Sequence, residues 1–379
     1  MNETLDVTTD GAEAEALTPD EKIYIERLKL TDDVISISLI VLTGLGLLGN
    51  ALVYATVQHL QKSPQFRNSS LTYLKWLAFA DSSSVIIDGW LTKGFTFVFG
   101  FQVRSLGLWV CRLDMWASHF TTRAAANIMA AFTFDRFISV TFPFFYDQKM
   151  KRPKVAKVIS LVIWLVCALV AGPLLFILVI RDERCTISAD IPMRVIDTFI
   201  FIGTPVLLVG IPSSVAFFSN FMIIIGLRKR AKRDRERKGN RQTSGQGGAG
   251  GGRKEYSMTT LLIVSSLLFL AGESGVMWGN YVMFYSEADP QIHPQVQKQF
   301  RTTATSISEL CGAINSSLNF VIYIICSRRF NLAFRDMLNL LLRGKSAMKG
   351  AGQSTATQPR AHSHLAVTAS SAGIPGQNH

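Results

Sequence analysis

Residues 268–278 read LFLAGESGVMW, in the middle of an apolar run from about Met258 to Tyr285. Whether that run crosses a membrane decides how the chain folds. Its length is sufficient, because a spanning helix needs about 20 mostly apolar residues. Against it stands one carboxylate, Glu273, flanked by Gly272 and Gly275. An ionisable group inside a bilayer is expensive, and where one persists it marks a functional position. Glu273 therefore does not disqualify the segment; it singles it out.

The rest of the chain supports the membrane reading. Of its 379 residues, 48% are hydrophobic and only 17% charged, where a soluble domain carries about 25% charge. Six further apolar runs lie at roughly 34–57, 71–92, 108–140, 155–180, 196–227 and 302–326. With 257–285 they make seven. Because the runs are continuous rather than alternating, they specify helices and not a barrel. The expected fold is an all-α membrane protein, a seven-transmembrane helix bundle. It shows no internal repeat of the transporter kind.

Charge sets the orientation. Residues 1–33 hold ten acids against Lys22, Arg27 and Lys29, whereas residues 228–254 hold eleven bases against Asp234 and Glu236. Basic loops face the cytoplasm, so the net charge of +12 reads as topology and not as a nucleic-acid footprint. The acidic segment 1–33 is placed outside the cell and the C-terminus inside. After the bundle (34–326), SRRFNLAFRDMLNLLL (327–342) sets Phe330, Phe334, Met337 and Leu341 at helical spacing opposite Arg328, Arg329 and Arg335. That pattern is a short amphipathic eighth helix lying in the bilayer interface. The tail 343–379, rich in Ser, Thr and Gly, is expected to be disordered and cytoplasmic. No cleavable leader is evident, and the first apolar run reads as an uncleaved anchor. Five cysteines without a Cys/His cluster exclude a structural zinc site. No nucleophile stands beside a base, so neither an enzyme nor a cofactor is expected.

Several residues fall at spacings that resemble the rhodopsin-like (class A) G-protein-coupled receptors, over about residues 34–342. They are GNALV (49–53), LAFAD (77–81), LWVC (108–111), DRF (135–137) with FP (142–143), Trp164 and Pro173, Cys185, IPSSVAFFSN (211–220) and NFVIY (319–323). The combined order carries the resemblance, since each motif alone is weak. TYLKWLAFAD (72–81), NSSLNFVIY (315–323) and Asn220, eight residues after Pro212, further resemble invertebrate FMRFamide-type neuropeptide receptors.

The resemblance implies a plasma-membrane receptor that binds an extracellular peptide and activates a heterotrimeric G protein. Cys111 and Cys185 both lie outside, where disulfides persist, and are expected to pair; two free buried thiols are the alternative. Asp135, Arg136, Phe144, Asn220 and Tyr323 take the positions of a G-protein-facing switch, although an Arg at an inner helix end also snorkels without any such role. Asp81, with Asn50, Asn315 and Asn319, forms an intramembrane polar network that the resemblance makes a Na+ site; ordered water fills the same role. Ala125 departs from the serine often found there. The seventh span lacks a lysine, which excludes a retinal Schiff base, and Ser118 stands where amine receptors carry Asp.

Ligand-pocket candidates in the outer halves of the spans are Asp88, Asp114, Ser118, His119, Arg123, Glu273, Asn280, Tyr281 and Glu309, with Lys93. Acids outnumber bases among them, which suits a ligand bearing Arg, Lys or an amidated C-terminus; each taken singly also reads as an internally paired polar group. Glu273 falls where most relatives have a ligand-sensing Trp, and Gly275 where they have a kink-forming Pro. Arg123 and then His119 are the expected partners of Glu273, and the two glycines are expected to permit bending. Asn2 heads an outer glycosylation sequon. Ser346, Ser354, Thr355, Thr357, Thr368, Ser370 and Ser371 are candidate sites for receptor kinases and arrestin recruitment. Two other classes compete: a seven-span ligand-binding protein without signalling, favoured by Phe137, Phe320 and the 268–278 stretch, and an ion or proton transporter using Asp81, Asp88, Glu273 and Glu309.

Overall fold

The computed structural model describes residues 17–63, 68–181, 184–188, 190–192, 206–241, 264, 266–272, 274, 275, 278 and 292–351. Helix α1 (Pro19–Leu60) begins well before the expected span. Its start is written locally. The Thr18 hydroxyl accepts from the Glu21 N–H (3.3 Å), and the Glu21 carboxylate accepts from the Thr18 N–H (2.8 Å). Pro19 sits at the first helical position and Asp20 and Glu21 face the positive end of the helix dipole. The acidic outer segment is thus helical from residue 19 onward.

Helix α2 (Ser69–Ser84) is capped by Asn68, whose side chain accepts from the Leu71 N–H (3.1 Å). It widens into π-type turns over Val85–Gly94 and ends at Gly100, in the left-handed region (φ 76°) that glycine adopts without a Cβ clash. Helix α3 (Leu108–Thr141) is followed by a 117° bend into the helical stretch Pro143–Met150, as expected where proline cannot continue a helix. Helix α4 (Pro153–Ala171) stops before the expected boundary at 180. Gly172 and Pro173 interrupt it, one further helical turn follows over Leu174–Ile177, and the β-branched sequences beyond that form a hairpin. In that hairpin β1 (Leu178–Arg181) pairs antiparallel with β2 (Arg184–Ile187), Ile180 lying opposite Cys185.

Helix α5 (Ile211–Arg241) follows a π-type turn (Val206–Gly210) and carries its helical backbone through the first basic residues of the inner segment. The described residues among 264–278 are helical and are termed α6. Helix α7 (Pro294–Cys326) runs 33 residues, opened by Pro294 and by His293 Nδ1 accepting from the Gln295 N–H (3.2 Å). Helix α8 (Arg328–Ala351) continues past the end expected at Leu342 into residues expected to be disordered. Lys345, Ala347, Met348 and Lys349 are good helix formers, and the first proline beyond them is Pro359. One compact body extends through Phe334; the segment from Arg335 is a second unit.

Helix α3 is the central element, packed against α2, α4 and α5, while α1 lies along α7 and α2. Leu77, Ala80, Ile128, Phe132, Val53 and Tyr323 are almost fully buried in the shared core, and Phe269 brings α6 into it. Leu45, Leu48, Leu165, Leu169, Phe217 and Ile325 point outward, as lipid-facing positions do. By length and composition four helices qualify as spans among the described residues, with the bent α3 unit a fifth. In α2 and α3 the charged residues Asp81, Asp114, Arg123 and Asp135 are buried, which lowers the apolar content of these helices.

Glycines bring helices together. A Cβ on Gly46 would lie 2.5 Å from Ser317 Oγ, and one on Gly49 would lie 3.1 Å from Phe320 Cβ. Ser317 cannot yield freely, because its hydroxyl donates to the Leu42 carbonyl at 3.0 Å. Gly46→Val should therefore cost about 1–3 kcal/mol through overpacking, read as a lower unfolding temperature of the purified protein. Gly44, with nothing within 4 Å of its would-be Cβ, is the control. Equal losses in Gly46→Val and Gly44→Val would remove the close-approach account.

Candidate functional site

At the end of the bundle where α3 meets the bend, three side chains from three segments converge on the Asp135 carboxylate. Asp135 Oδ2 accepts from Arg136 Nη2 (3.0 Å), Ser69 Oγ (3.2 Å) and the Tyr146 hydroxyl (3.3 Å). Arg136 Nη2 also donates to the Tyr146 hydroxyl at 2.8 Å, and Ser69 and Tyr146 oxygens lie 2.8 Å apart. Asp135, Ser69 and Tyr146 are buried. The Asp135–Arg136 pairing was legible in the sequence. Tyr146 and Ser69 were not, since only the 117° bend after α3 returns residue 146 to the base of α2. The signal was a lone tyrosine in an otherwise apolar-to-basic inner loop. Phe144, two residues from Tyr146, is 77% exposed.

Tyr146→Phe keeps the ring and removes the hydroxyl that links Asp135, Arg136 and Ser69. Hydrogen bonds to charged groups carry about 1.5–3 kcal/mol, part of which water replaces here, so, on the reading of Asp135 and Arg136 as a G-protein-facing switch, basal signalling should rise about 3- to 10-fold. Basal activity indistinguishable from wild type would show that Tyr146 does not restrain the switch.

Asn220 on α5 joins α6 instead, its Nδ2 donating to Ser266 Oγ at 2.7 Å. Tyr323 is buried, with Phe330 at 5.7 Å and no hydrogen-bond partner for its hydroxyl among the described residues. Phe320 replaces the usual proline of α7 and packs edge-on against Phe330 (6.3 Å) and Phe334 (5.4 Å), so α7 stays unbroken where a proline would kink it.

Halfway across, the expected Asp81 network is only partly assembled. Asn319 Nδ2 donates to Asp81 Oδ2 at 2.7 Å. Asn50 turns to α7, its Nδ2 donating to the Ser316 carbonyl (3.1 Å), and its buried Oδ1 has no hydrogen-bond partner among the described residues. Asn315 faces α6: a Cβ on Gly272 would lie 3.0 Å from its Cβ. A Cβ on Gly275 would similarly lie 2.7 Å from Cys311 Sγ. Gly272 and Gly275, expected as bending points, thus let α6 approach α7 at Asn315 and Cys311. The unsatisfied, buried Asn50 oxygen fits a small cation or a water.

At the outer end, the Cys111–Cys185 disulfide ties the hairpin to α3 (Cα–Cα 5.7 Å), and Arg112 Nε donates to the Leu178 carbonyl (3.0 Å). The expected acid excess largely disappears. Asp114 is paired with Arg104 (2.5 Å), a loop residue absent from the sequence-based set, and Arg104 Nη2 also reaches Thr92 Oγ1 (3.1 Å). Glu309 pairs with Lys93 (3.5 Å), which also donates to Ser306 Oγ (2.8 Å); Ser306 in turn donates to Asp32. Asp88 differs. It accepts from Ser118, from Thr122 Oγ1 (2.9 Å) and from Ser84 Oγ (3.2 Å), with no ion pair among the described residues. Arg123 is buried and its carbonyl accepts from Asn127 Nδ2 (2.8 Å); His119 lies one turn before it on α3. Glu273, Asn280, Tyr281 and Asn2 lie outside the described residues, as does the pairing of Glu273 with Arg123 or His119.

The sequence model of the family "7 transmembrane receptor (rhodopsin family)" matches residues 49–323. The chain belongs to the rhodopsin family of seven-transmembrane receptors. Its fold is therefore a seven-helix bundle crossing a membrane several times, and its family is one of receptors, not enzymes. Residues 49–323 carry the Asp81 network, the disulfide and the Asp135–Arg136–Tyr146 cluster, so the rhodopsin-family match contains all three. The chain is also similar to the growth hormone secretagogue receptor type 1 of Rattus norvegicus, 24% identical over 189 residues, which are 50% of this chain and 50% of that receptor. The match thus spans about half the length of that relative.

Proposed function

We propose that this rhodopsin-family receptor sits in the plasma membrane with its N-terminus outside, binds an extracellular peptide and activates a heterotrimeric G protein. The observation that carries the reading is the inner cluster. Arg136 is held by Asp135 and Tyr146 beside the exposed Phe144, so a partner entering from inside meets an aromatic anchor next to a releasable guanidinium. Agonist binding shifts the bundle toward the state in which that guanidinium is free.

Three features support a peptide ligand. The rat relative is by name a receptor for a growth hormone secretagogue. The two-stranded hairpin at the outer mouth presents strand edges to which an extended peptide can add. The resemblance of residues 72–81 and 315–323 to FMRFamide-type receptors makes amidated neuropeptides the first class to screen. The acidic outer segment and the basic residues 228–254 support the orientation. Asp81 with the Asn50 oxygen would hold Na+ or a water, and the tail hydroxyls would recruit arrestin after phosphorylation by receptor kinases.

Cells expressing the receptor should be screened with a synthetic amidated-neuropeptide library, reading cyclic AMP, calcium and arrestin recruitment. At least one peptide is expected to give a saturable response. Binding without any response would favour a non-signalling receptor, and an ion flux alone would favour transport.

A further inference from the structure

We propose that Asp88, with the hydroxyls of Ser84, Ser118 and Thr122, is the seat of a primary ammonium group carried by the ligand, either a lysine side chain or a free N-terminus. The proposal rests on the peptide-receptor reading above and names the ligand chemistry of its outer site.

Among the described residues, two other pocket acids are matched to bases: Asp114 to Arg104 and Glu309 to Lys93. Among the described residues, Asp88 is the pocket carboxylate whose partners are neutral hydroxyls alone. Arg104 and Asp114 both act on it electrostatically, but with opposite signs, and the Arg104 guanidinium is already engaged by Asp114 and Thr92. Asp88 is half-buried; a carboxylate partly withdrawn from water gains from neutralisation, and a cation arriving with the ligand supplies it.

The hydrogen-bond inventory narrows the cation. A carboxylate offers about four acceptor positions over its two oxygens. Oδ2 already takes Thr122 and Ser84, while Oδ1 takes only Ser118. A guanidinium fork needs a free position on each oxygen, and Oδ2 has none. A compact ammonium needs one, at Oδ1. Ser118 donates to Oδ1, so its own oxygen lone pairs stay available for a second ammonium N–H. The setting also suits a site: Asp88 lies in the π-type turns Val85–Gly94, a widening of the helix often found where function is built.

Two measurements on the full-length receptor test this. First, thermal unfolding of the purified protein is followed while n-butylammonium chloride is added, with NaCl at equal ionic strength and neutral butyramide as controls. A stabilisation specific to butylammonium, absent in Asp88→Asn, is expected. No ammonium-specific shift, an unchanged shift in Asp88→Asn, or an equal shift from NaCl would each overturn the proposal, the last by making this an inorganic cation site. Should Asp88→Asn fail to fold, Ser118→Ala, which keeps the carboxylate, is expected to reduce the shift, and an undiminished shift counts against the site. Second, any library peptide that activates the receptor is compared with its copy acetylated at every amine. Loss of a charged hydrogen bond should lower wild-type potency about 10- to 100-fold, and Asp88→Asn should respond equally to both copies. A preserved difference in Asp88→Asn overturns the assignment. A library without any activating peptide would sink the peptide-receptor reading instead, while the first measurement still decides on Asp88.

Discussion

Arg136→Ala will reach the cell surface and bind ligand normally, yet agonist-driven nucleotide exchange on the G protein will fall about 30-fold or more. That magnitude is what a buried arginine anchor at an interface commonly carries, 2 kcal/mol or more. The folding cost is small for a structural reason. Arg136 donates from a single nitrogen to Asp135 and Tyr146 at the rim of the bundle, and its loss leaves Asp135 with Ser69 and Tyr146 as donors. Arg136→Lys retains the charge without the planar fork and should fall between wild type and alanine. Exchange assays on membranes, normalised to surface receptor, decide it: wild-type coupling by Arg136→Ala would remove the inner cluster from the switch.

The other large effect concerns the outer end. Cys185→Ala opens a loop of 74 residues between Cys111 and Cys185, for which the chain-entropy account gives about 4 kcal/mol. That figure is an upper bound, because α3 and α4 stay inserted in the bilayer when their packing is lost, and the reference state is already restrained. Even so, about 2–4 kcal/mol is a large part of a typical stability of 5–15 kcal/mol. We expect most of the surface pool to be lost and the remainder to bind ligand weakly, since the hairpin loses its tether to α3. The Cys111→Ala/Cys185→Ala double variant should be no worse than either single one. Wild-type surface levels and unfolding temperature in Cys185→Ala would show that the Arg112–Leu178 contact and hairpin packing suffice.

Much of this was readable in the sequence where the determining physics is local. Apolar run length marks a span whatever surrounds it, which is why the stretch around Glu273 could be placed although that residue itself lies outside the described set. The start of α1 was also written in adjacent residues, in the reciprocal Thr18–Glu21 cap and Pro19, but the absence of an apolar run before residue 34 hid it. The hairpin was missed because LVI (178–180) suits a buried helix and a strand equally; pairing with Arg184–Ile187 decided the matter.

Partner choice was not readable, because it depends on how each helix is rotated and how closely its neighbours approach. Asn315 was expected at Asp81, but it lies against Gly272, where a glycine lets α6 in. Arg104, a loop residue of no evident importance, neutralises Asp114 and so leaves Asp88, among the described residues, as the pocket acid with hydroxyls alone. Tyr146 reaches Asp135 only because the chain bends by 117° after α3. The sequence by itself determined the seven-span helical fold and singled out Cys111 and Cys185, since hydropathy acts over a single segment. Only the tertiary structure decided which charges are matched among the described residues. Those pairings join residues far apart in the chain, across contacts a few ångströms wide.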